Sequence, residues 1–522
     1  MDAEESVELT AEEFLRNRRL KLLLIIGVCL NAFVVFNSDL GLDTHIHLTY
    51  ATNEEIHGEA ILDWGHTRPI DSMASDPSYT PAKDNGWYNF IGDSSMDVRL
   101  FSFAVTLGFI AILYRKGLEE LATIVAIYPV FIFSTGRGYP EVFLAAMLYA
   151  VVILISRASR EERVLNRRLQ SLGIAVPMAA VVYAKGMEMQ WGLPFGLAAL
   201  IWFEIANWND SLKARMSNPI QVLTGIGVSI TLGMFLIGLF GMDSTLSVIT
   251  EQPARFISAI LFAILDVVVI YSLFGMVLWP FIGSAIKGLK QVNDLETATL
   301  TGMIVAFSVA ITIYVAALWT YESTLWNADW PWMILTMGNN GRYISLMLIP
   351  AFMLLRRMNE IGLDVECLES PGEKYRHLVI GVALILPLSL LASIHAQTMW
   401  TDDAADVLNS GLEDGEDFLF VHDATLGMHY LYTFHTTIEG VHERNITGHW
   451  RSPDSGWEQE LYSNEEMENR GNLSDVEWIV LSPDIEWDPP QGWSLSSEGD
   501  ADFLNGGGTW KVYTTHVATN LL

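Results

Sequence analysis

Eleven apolar blocks, most close to twenty residues long and nearly free of charge, recur along the first four-fifths of this chain. Two of them, residues 220–240 and 256–281, contain between them a single ionisable residue that is neither Tyr nor Cys, Asp266. A bilayer core about 30 Å thick takes about 20 such residues in a helix. Inside it every backbone N–H and C=O must be satisfied within the protein, which leaves helices or closed barrels. The blocks are too long and too uniformly apolar for strands, so the chain is expected to be a polytopic α-helical membrane protein. The expected spans are 20–36, 98–114, 120–135, 141–156, 172–184, 191–207, 219–241, 256–281, 298–319, 342–355 and 378–397. The composition agrees: 51% of the 522 residues are hydrophobic and the mean hydropathy is +0.30.

Orientation follows from the basic residues. Arg16, Arg18, Arg19 and Lys21 precede the first span, which has no small-residue cleavage site, and they set the N-terminus in the cytoplasm. Eleven spans then place the C-terminus outside the cell membrane. Of the 30 Lys and Arg residues, 19 fall on the inner side of this map, 7 on outer loops and 4 in the C-terminal tail. Residues 1–19, acidic and then basic, read as a short amphipathic helix on the inner side. Of the two cysteines, Cys29 lies in a span and Cys367 in an inner loop, so the tail has no disulfide.

The chain divides on this reading into a membrane domain, 1–397, and an extracytoplasmic domain, 398–522. Residues 37–97 form a first outer loop rich in aromatic residues, among them Trp64, Tyr79, Trp87 and Tyr88, as suits helices lying along a membrane surface. The aromatic-rich outer stretch from Trp319 to Arg342 suits the water–lipid interface. In the tail, strand-like runs such as residues 417–422, 477–481 and 510–513 alternate with turns, giving a small α/β domain. From Thr401 onward there are 24 acidic and 4 basic residues, out of a net charge of −31 for the whole chain. That excess argues against nucleic acid or anionic lipid as a partner of the tail and fits a surface suited to salt or divalent cations. Asn445-Ile446-Thr447 and Asn472-Leu473-Ser474 are sequons on the outer side.

Two constellations carry chemistry. Asp43, His45 and His47 follow the first span. In an extended segment alternate residues share a face, so the three could converge on a divalent metal or an acceptor, or the acid could act as a general base. The plain alternative is a solvated polar loop. The second constellation is the set of outer basic residues at span edges, where charge is costly and is usually partnered. Lys185, Arg255 and Arg342 could gather around a phosphate, with Arg137 on a neighbouring loop. The alternative for any one of them is snorkelling to the interface. Gly136-Arg137-Gly138 lacks the spacing of a phosphate-cradling loop, and no nucleotide or redox cofactor is expected.

Four short motifs give the chain a resemblance. Arg342-Tyr343 opens a late span with Pro350 seven residues on. Ala184-Lys185-Gly186 is followed by Pro194 in the next span. Asp43 stands just past the first span, and a small domain follows the last. This pattern resembles the GT-C membrane glycosyltransferases, in particular the protein O-mannosyltransferases and the aminoarabinose transferase of lipid A. Thr44 stands where many relatives have a second acid, and Met187 where the Lys-Gly element continues into Pro. The resemblance implies an inverting transferase, hexosyl- or mannosyltransferase-like, that takes a sugar from a polyprenyl-phosphate donor. The acceptor would be a hydroxyl on a lipid, glycan or protein at the outer face. Asp43 would be its base, and Arg342, Tyr343, Lys185, Arg255 and Arg137 would hold the donor phosphate. Two other classes compete. A transporter or lipid-carrier flippase would need mid-span charges and paired halves, and Asp266 is one of few candidates for the former. A binding protein would carry its work in the tail.

Overall fold

The computed structural model describes residues 2–57, 87–88, 94–185, 187–240, 251–278, 288–325, 330–331, 341–362, 371–395, 399–422, 427–441, 443–462, 473–483, 485–501 and 507–516. Most of the first outer loop, with Trp64, Arg68, Tyr79 and Lys83, lies outside these residues. So do Gly186, Cys367 and the sequon residue Asn472. The chain forms two compact units, one of residues 1–36, 101–325 and 329–394, the other of 37–100, 326–328 and 395–522.

The first unit is helical. Among the described residues, six helices are long and apolar enough to cross a membrane: Arg18–Asn37, Ser95–Arg115, Glu141–Arg160, Met189–Ala206, Pro253–Leu273 and Leu295–Thr320. The first continues a single helix from Asp2, so the expected separate amphipathic helix at the N-terminus is the same element. The expected third span is a bent pair, Glu119–Ile127 and Pro129–Gly136, turned by 58°. Tyr128 between them is extended because Pro129 disfavours the helical conformation in the residue before it. The expected fifth span is a helix of 10 residues, Ala175–Ala184, and the tenth a helix of 13, Leu348–Glu360. Pro219–Phe240 and Pro371–His395 cover the seventh and last expected spans.

Small and polar residues bring these helices together, as they must where water supplies no hydrophobic drive. Asn31 is fully buried and donates to Ala126 O at 2.7 Å and to Gly27 O at 2.8 Å. A Cβ on Gly27 would overlap the Ala126 backbone, and one on Gly192 the backbone of Ala179. The second close approach holds the short Ala175–Ala184 helix, and Lys185 at its end, against the helix that follows.

The second unit holds a five-stranded sheet, β1 Asp417–Val421, β2 Thr447–Arg451, β3 Trp478–Leu481, β4 Ser494–Asp500 and β5 Thr509–Thr514, in the order β2-β1-β3-β5-β4. β1 pairs parallel with β2 and β3, and β5 pairs antiparallel with β3 and β4. Alternate residues of the central strands feed two cores. Phe418, Phe420, Trp478 and Val480 pack with the Trp400–Gly411 and Gly427–Thr437 helices. Leu419, Val421, Ile479 and Leu481 pack with Trp457 and Leu461 on the other face. β1, β3 and β5 are the strands read from sequence. β2 and β4 are edge strands of mostly polar residues, and β4 is largely exposed. Asn445 of the first sequon is exposed and has φ 55°, just before β2.

Candidate functional site

In the first unit a charged cluster closes one end of the helices. Glu141 begins the Glu141–Arg160 helix, and its carboxylate is fully buried. Arg342, 8% exposed, reaches it from the short Gly341–Ser345 helix, with Nε 3.4 Å from Oε1. Lys185 Nζ approaches the same oxygen at 3.8 Å. The rings of Tyr139 and Tyr343 wall the cations. The Arg342 guanidinium lies 4.0 Å from the Tyr139 centroid and donates to the Tyr343 hydroxyl at 3.3 Å, while Lys185 lies 4.7 Å from the Tyr343 centroid. Both contacts are cation–π geometry. Snorkelling does not describe Arg342, because a snorkelling head group ends in water and this one is buried against a carboxylate. Lys185 is more open, its side chain 35% exposed.

Three of the expected phosphate ligands, Arg342, Tyr343 and Lys185, thus come together, and two make other contacts. Arg255 donates to Ser323 Oγ at 3.3 Å on the Leu295–Leu325 helix. Arg137, which caps the Pro129–Gly136 helix, lies over the Phe133 ring at 4.6 Å. The sequence reading missed Glu141 and Tyr139. Their signal was an acid directly after Pro140 at the mouth of an apolar block, where an unpaired charge would be costly.

Arg160, at the far end of the Glu141 helix, makes a bidentate pair with Glu296 at 2.6 and 3.1 Å. Arg357 grips Asp294 at 2.9 and 3.1 Å and reaches Glu296 at 3.3 Å. The 20 residues from Glu141 to Arg160 rise about 30 Å, the thickness of a hydrocarbon core. The three helices are therefore tied by charge at one end, and the Glu141–Arg342–Lys185 cluster lies at the other.

Asp43 belongs to the second unit, and its setting corrects the extended-segment expectation. Residues Leu42–His57 form a helix, opened by Thr44 N donating to Gly41 O at 2.8 Å. Asp43 is in its first turn, where a carboxylate suits the helix dipole. At 100° per residue His45 points away from Asp43 and His47, so the three do not share a face. Asp43 is partly buried. His47 stacks on Tyr88 with centroids 4.5 Å apart. His45 is buried, with Nδ1 2.6 Å from Thr436 Oγ1 and Nε2 3.3 Å from Asp39 Oδ2. Asp43, His45 and His47 are not among the described groups of three His, Cys, Asp or Glu donors that lie within 4.8 Å of one another.

His45 is part of a buried polar network that sequence reading did not find. Thr49 Oγ1 lies 3.2 Å from His435 Nδ1, and Thr437 donates to Asp402 Oδ1 at 3.2 Å. Arg99 donates to Ser38 O. Burial would raise the Asp39 carboxyl, but the His45 ring, the Leu40 N–H and Arg99 together hold it below the ordinary carboxylate range. Asp402 goes the other way: burial, and then the Asp39 carboxylate, push it up to about 7. The network fastens the Leu42–His57 helix to the Gly427–Thr437 and Trp400–Gly411 helices.

No protein-family model matches the sequence, and no curated protein matches it. Two solved structures are similar to the chain, both of ArnT from Cupriavidus metallidurans. The crystal structure bound to undecaprenyl phosphate is 13% identical with a TM-score of 0.40, over 95% of this chain and 98% of that one. The apo crystal structure is 13% identical with a TM-score of 0.43, over 95% and 97%.

Proposed function

We propose that this chain is a membrane glycosyltransferase that moves a sugar from a polyprenyl-phosphate donor to a hydroxyl acceptor. The observation that carries the reading is the meeting of Arg342, Tyr343 and Lys185 around Glu141. Their residue types fit a phosphate: a planar guanidinium that can hold two oxygens, an ammonium that acts as a point charge, and a phenol that can donate. They are residues to which the sequence resemblance gives the donor phosphate. Glu141 Oε1 lies 3.4 Å from Arg342 Nε and 3.8 Å from Lys185 Nζ and holds the two cations side by side.

In the proposed reaction the acceptor oxygen attacks the anomeric carbon and the bond from that carbon to the phosphate oxygen breaks. The configuration inverts. The leaving polyprenyl phosphate gains negative charge, which Arg342 and Lys185 offset. Asp43 takes the acceptor's proton, a role it holds through the resemblance and its place after the first span. The outer face is the proposed site, with the N-terminus cytoplasmic and residues 398–522 extracytoplasmic.

The test uses purified protein, a panel of radiolabelled polyprenyl-phosphate sugars and a lipid extract as acceptor source. Transfer from one donor is expected, with turnover falling roughly 10²–10⁴-fold in Asp43→Asn while donor binding survives. Absence of transfer from every donor would end the proposal.

A further inference from the structure

Away from both clusters, three side chains meet at one end of the sheet. Glu416 directly precedes β1, Glu477 directly precedes β3, and His516 follows the end of β5. β1 and β3 run parallel, so their first residues are neighbours, with Phe418 opposite Trp478. β5 runs antiparallel to β3, so its last residue, Thr514, lies opposite Trp478. The topology alone therefore brings residues 416, 477 and 516 together from three adjacent strands.

We propose that Glu416, Glu477 and His516 form a binding site for one divalent transition-metal ion of the zinc type. His516 Nε2 is 3.0 Å from Glu416 Oε1 and 2.6 Å from Glu477 Oε2, and the donor atoms all lie within 4.8 Å of one another. Tetrahedral zinc with bonds near 2.1 Å needs donors about 3.4 Å apart, so small side-chain rotations open the set to an ion. One imidazole with two carboxylates favours zinc-like ions over calcium or magnesium, which want six or more oxygens.

The surroundings are built rather than incidental. Trp478 Nε1 donates to Glu416 Oε2 at 3.2 Å, and Glu413 N donates to the same oxygen at 2.8 Å, fixing the carboxylate whose other oxygen faces His516. Such outer contacts orient metal ligands. His516 N is held by Thr514 Oγ1 at 3.1 Å, and Thr515 N by Glu477 O at 3.1 Å. Glu416 and Glu477 also bring carboxylate oxygens within 4.8 Å of each other, an arrangement of like charges that a divalent cation relieves. A bound ion would tie the last strand to the two central ones.

The test takes the full-length chain in detergent, stripped with a chelator and titrated with Zn²⁺ against a fluorescent chelator. The wild type is expected to bind one more equivalent than Glu477→Gln or His516→Ala, or to bind that equivalent at least about tenfold more tightly. His516→Ala removes contacts at the end of β5, so Glu477→Gln decides: its side chain is 44% exposed and the change keeps its shape. Zn²⁺ should also slow amide exchange over residues 509–514 in the wild type and not in Glu477→Gln. Equal stoichiometry and affinity in the wild type and Glu477→Gln would overturn the site. Equal filling by Ca²⁺ would overturn it too, because a diffuse acidic surface does not need an imidazole.

Discussion

Arg342→Ala is the perturbation with the clearest energetic signature. Glu141 is fully buried, and Arg342 approaches it at 3.4 Å with a side chain only 9% exposed. Removing one partner of a buried ion pair costs about 3–5 kcal/mol, chiefly because the other charge is stranded. Lys185, at 3.8 Å and 35% exposed, remains and screens the carboxylate in part, which favours the lower end of that range. Loss of the guanidinium over Tyr139 at 4.0 Å adds about 1 kcal/mol. A total near 4 kcal/mol is expected, measured as unfolding free energy by titrating SDS into mixed micelles. Glu141→Gln in the same chain removes the stranded charge, so the double variant should recover about 2–3 kcal/mol of the loss. Strict additivity of the two single changes would refute the pairing. The same variants separate stability from chemistry. Arg342→Lys should restore most of the pair but only part of donor binding, since an ammonium does not hold two phosphate oxygens at once.

Asp402 titrates near pH 7 in the folded chain against an ordinary 3.8, so its contribution is fully present below pH 4 and is lost as pH rises through 7. Asp39, held low, acts oppositely: its contribution is present above its ordinary 3.8 and is lost as pH falls below that value. Asp402→Asn should therefore slow amide exchange in residues 42–57 at pH 8 and change little at pH 4; equal effects at both would contradict the assignment. Glu296→Ala removes the acid shared by Arg160 and Arg357 and should destabilise the membrane unit by about 2–4 kcal/mol in the same SDS titration, whereas Arg356→Ala, with its exposed i,i+4 pair, should cost under about 1. For orientation, with Cys29 and Cys367 replaced by Ser, Ser455→Cys should react with an impermeant thiol reagent on intact cells and Asn166→Cys should not. The reverse pattern would place Asp43 on the cytoplasmic side.

Hydropathy marked the membrane helices because lipid demands long apolar runs, and nothing in tertiary structure can replace that demand. It did not mark the break at Tyr128, which depends on Pro129, or the short Ala175–Ala184 helix, which the following helix supports through Gly192. The three inner strands of the sheet were legible from their apolar runs, while β2 and β4 were not, because both are written mostly in non-apolar residues: β4 is largely exposed, and β2 buries Gly448, His449 and Arg451 rather than an apolar run. The helix holding Asp43 escaped for a related reason. Its buried face is Thr44, His45, Leu48 and Thr49, a 3.6-residue period written mostly in polar side chains, which no hydropathy pattern reports.

The sequence by itself determined that this chain crosses a membrane, that an acidic α/β domain follows, and which cations stand at span edges. Each of these is a property of a local run of residues. Only the tertiary structure decided which cations meet. Arg342 and Lys185, 157 positions apart, find each other because both converge on Glu141, while Arg255 turns to Ser323 and Arg137 to Phe133. It likewise decided that Glu416, Glu477 and His516 share one end of a sheet, since strand order and direction set that neighbourhood. A buried charge selects its partner by distance through a low-dielectric interior, and distance is what a linear sequence does not contain.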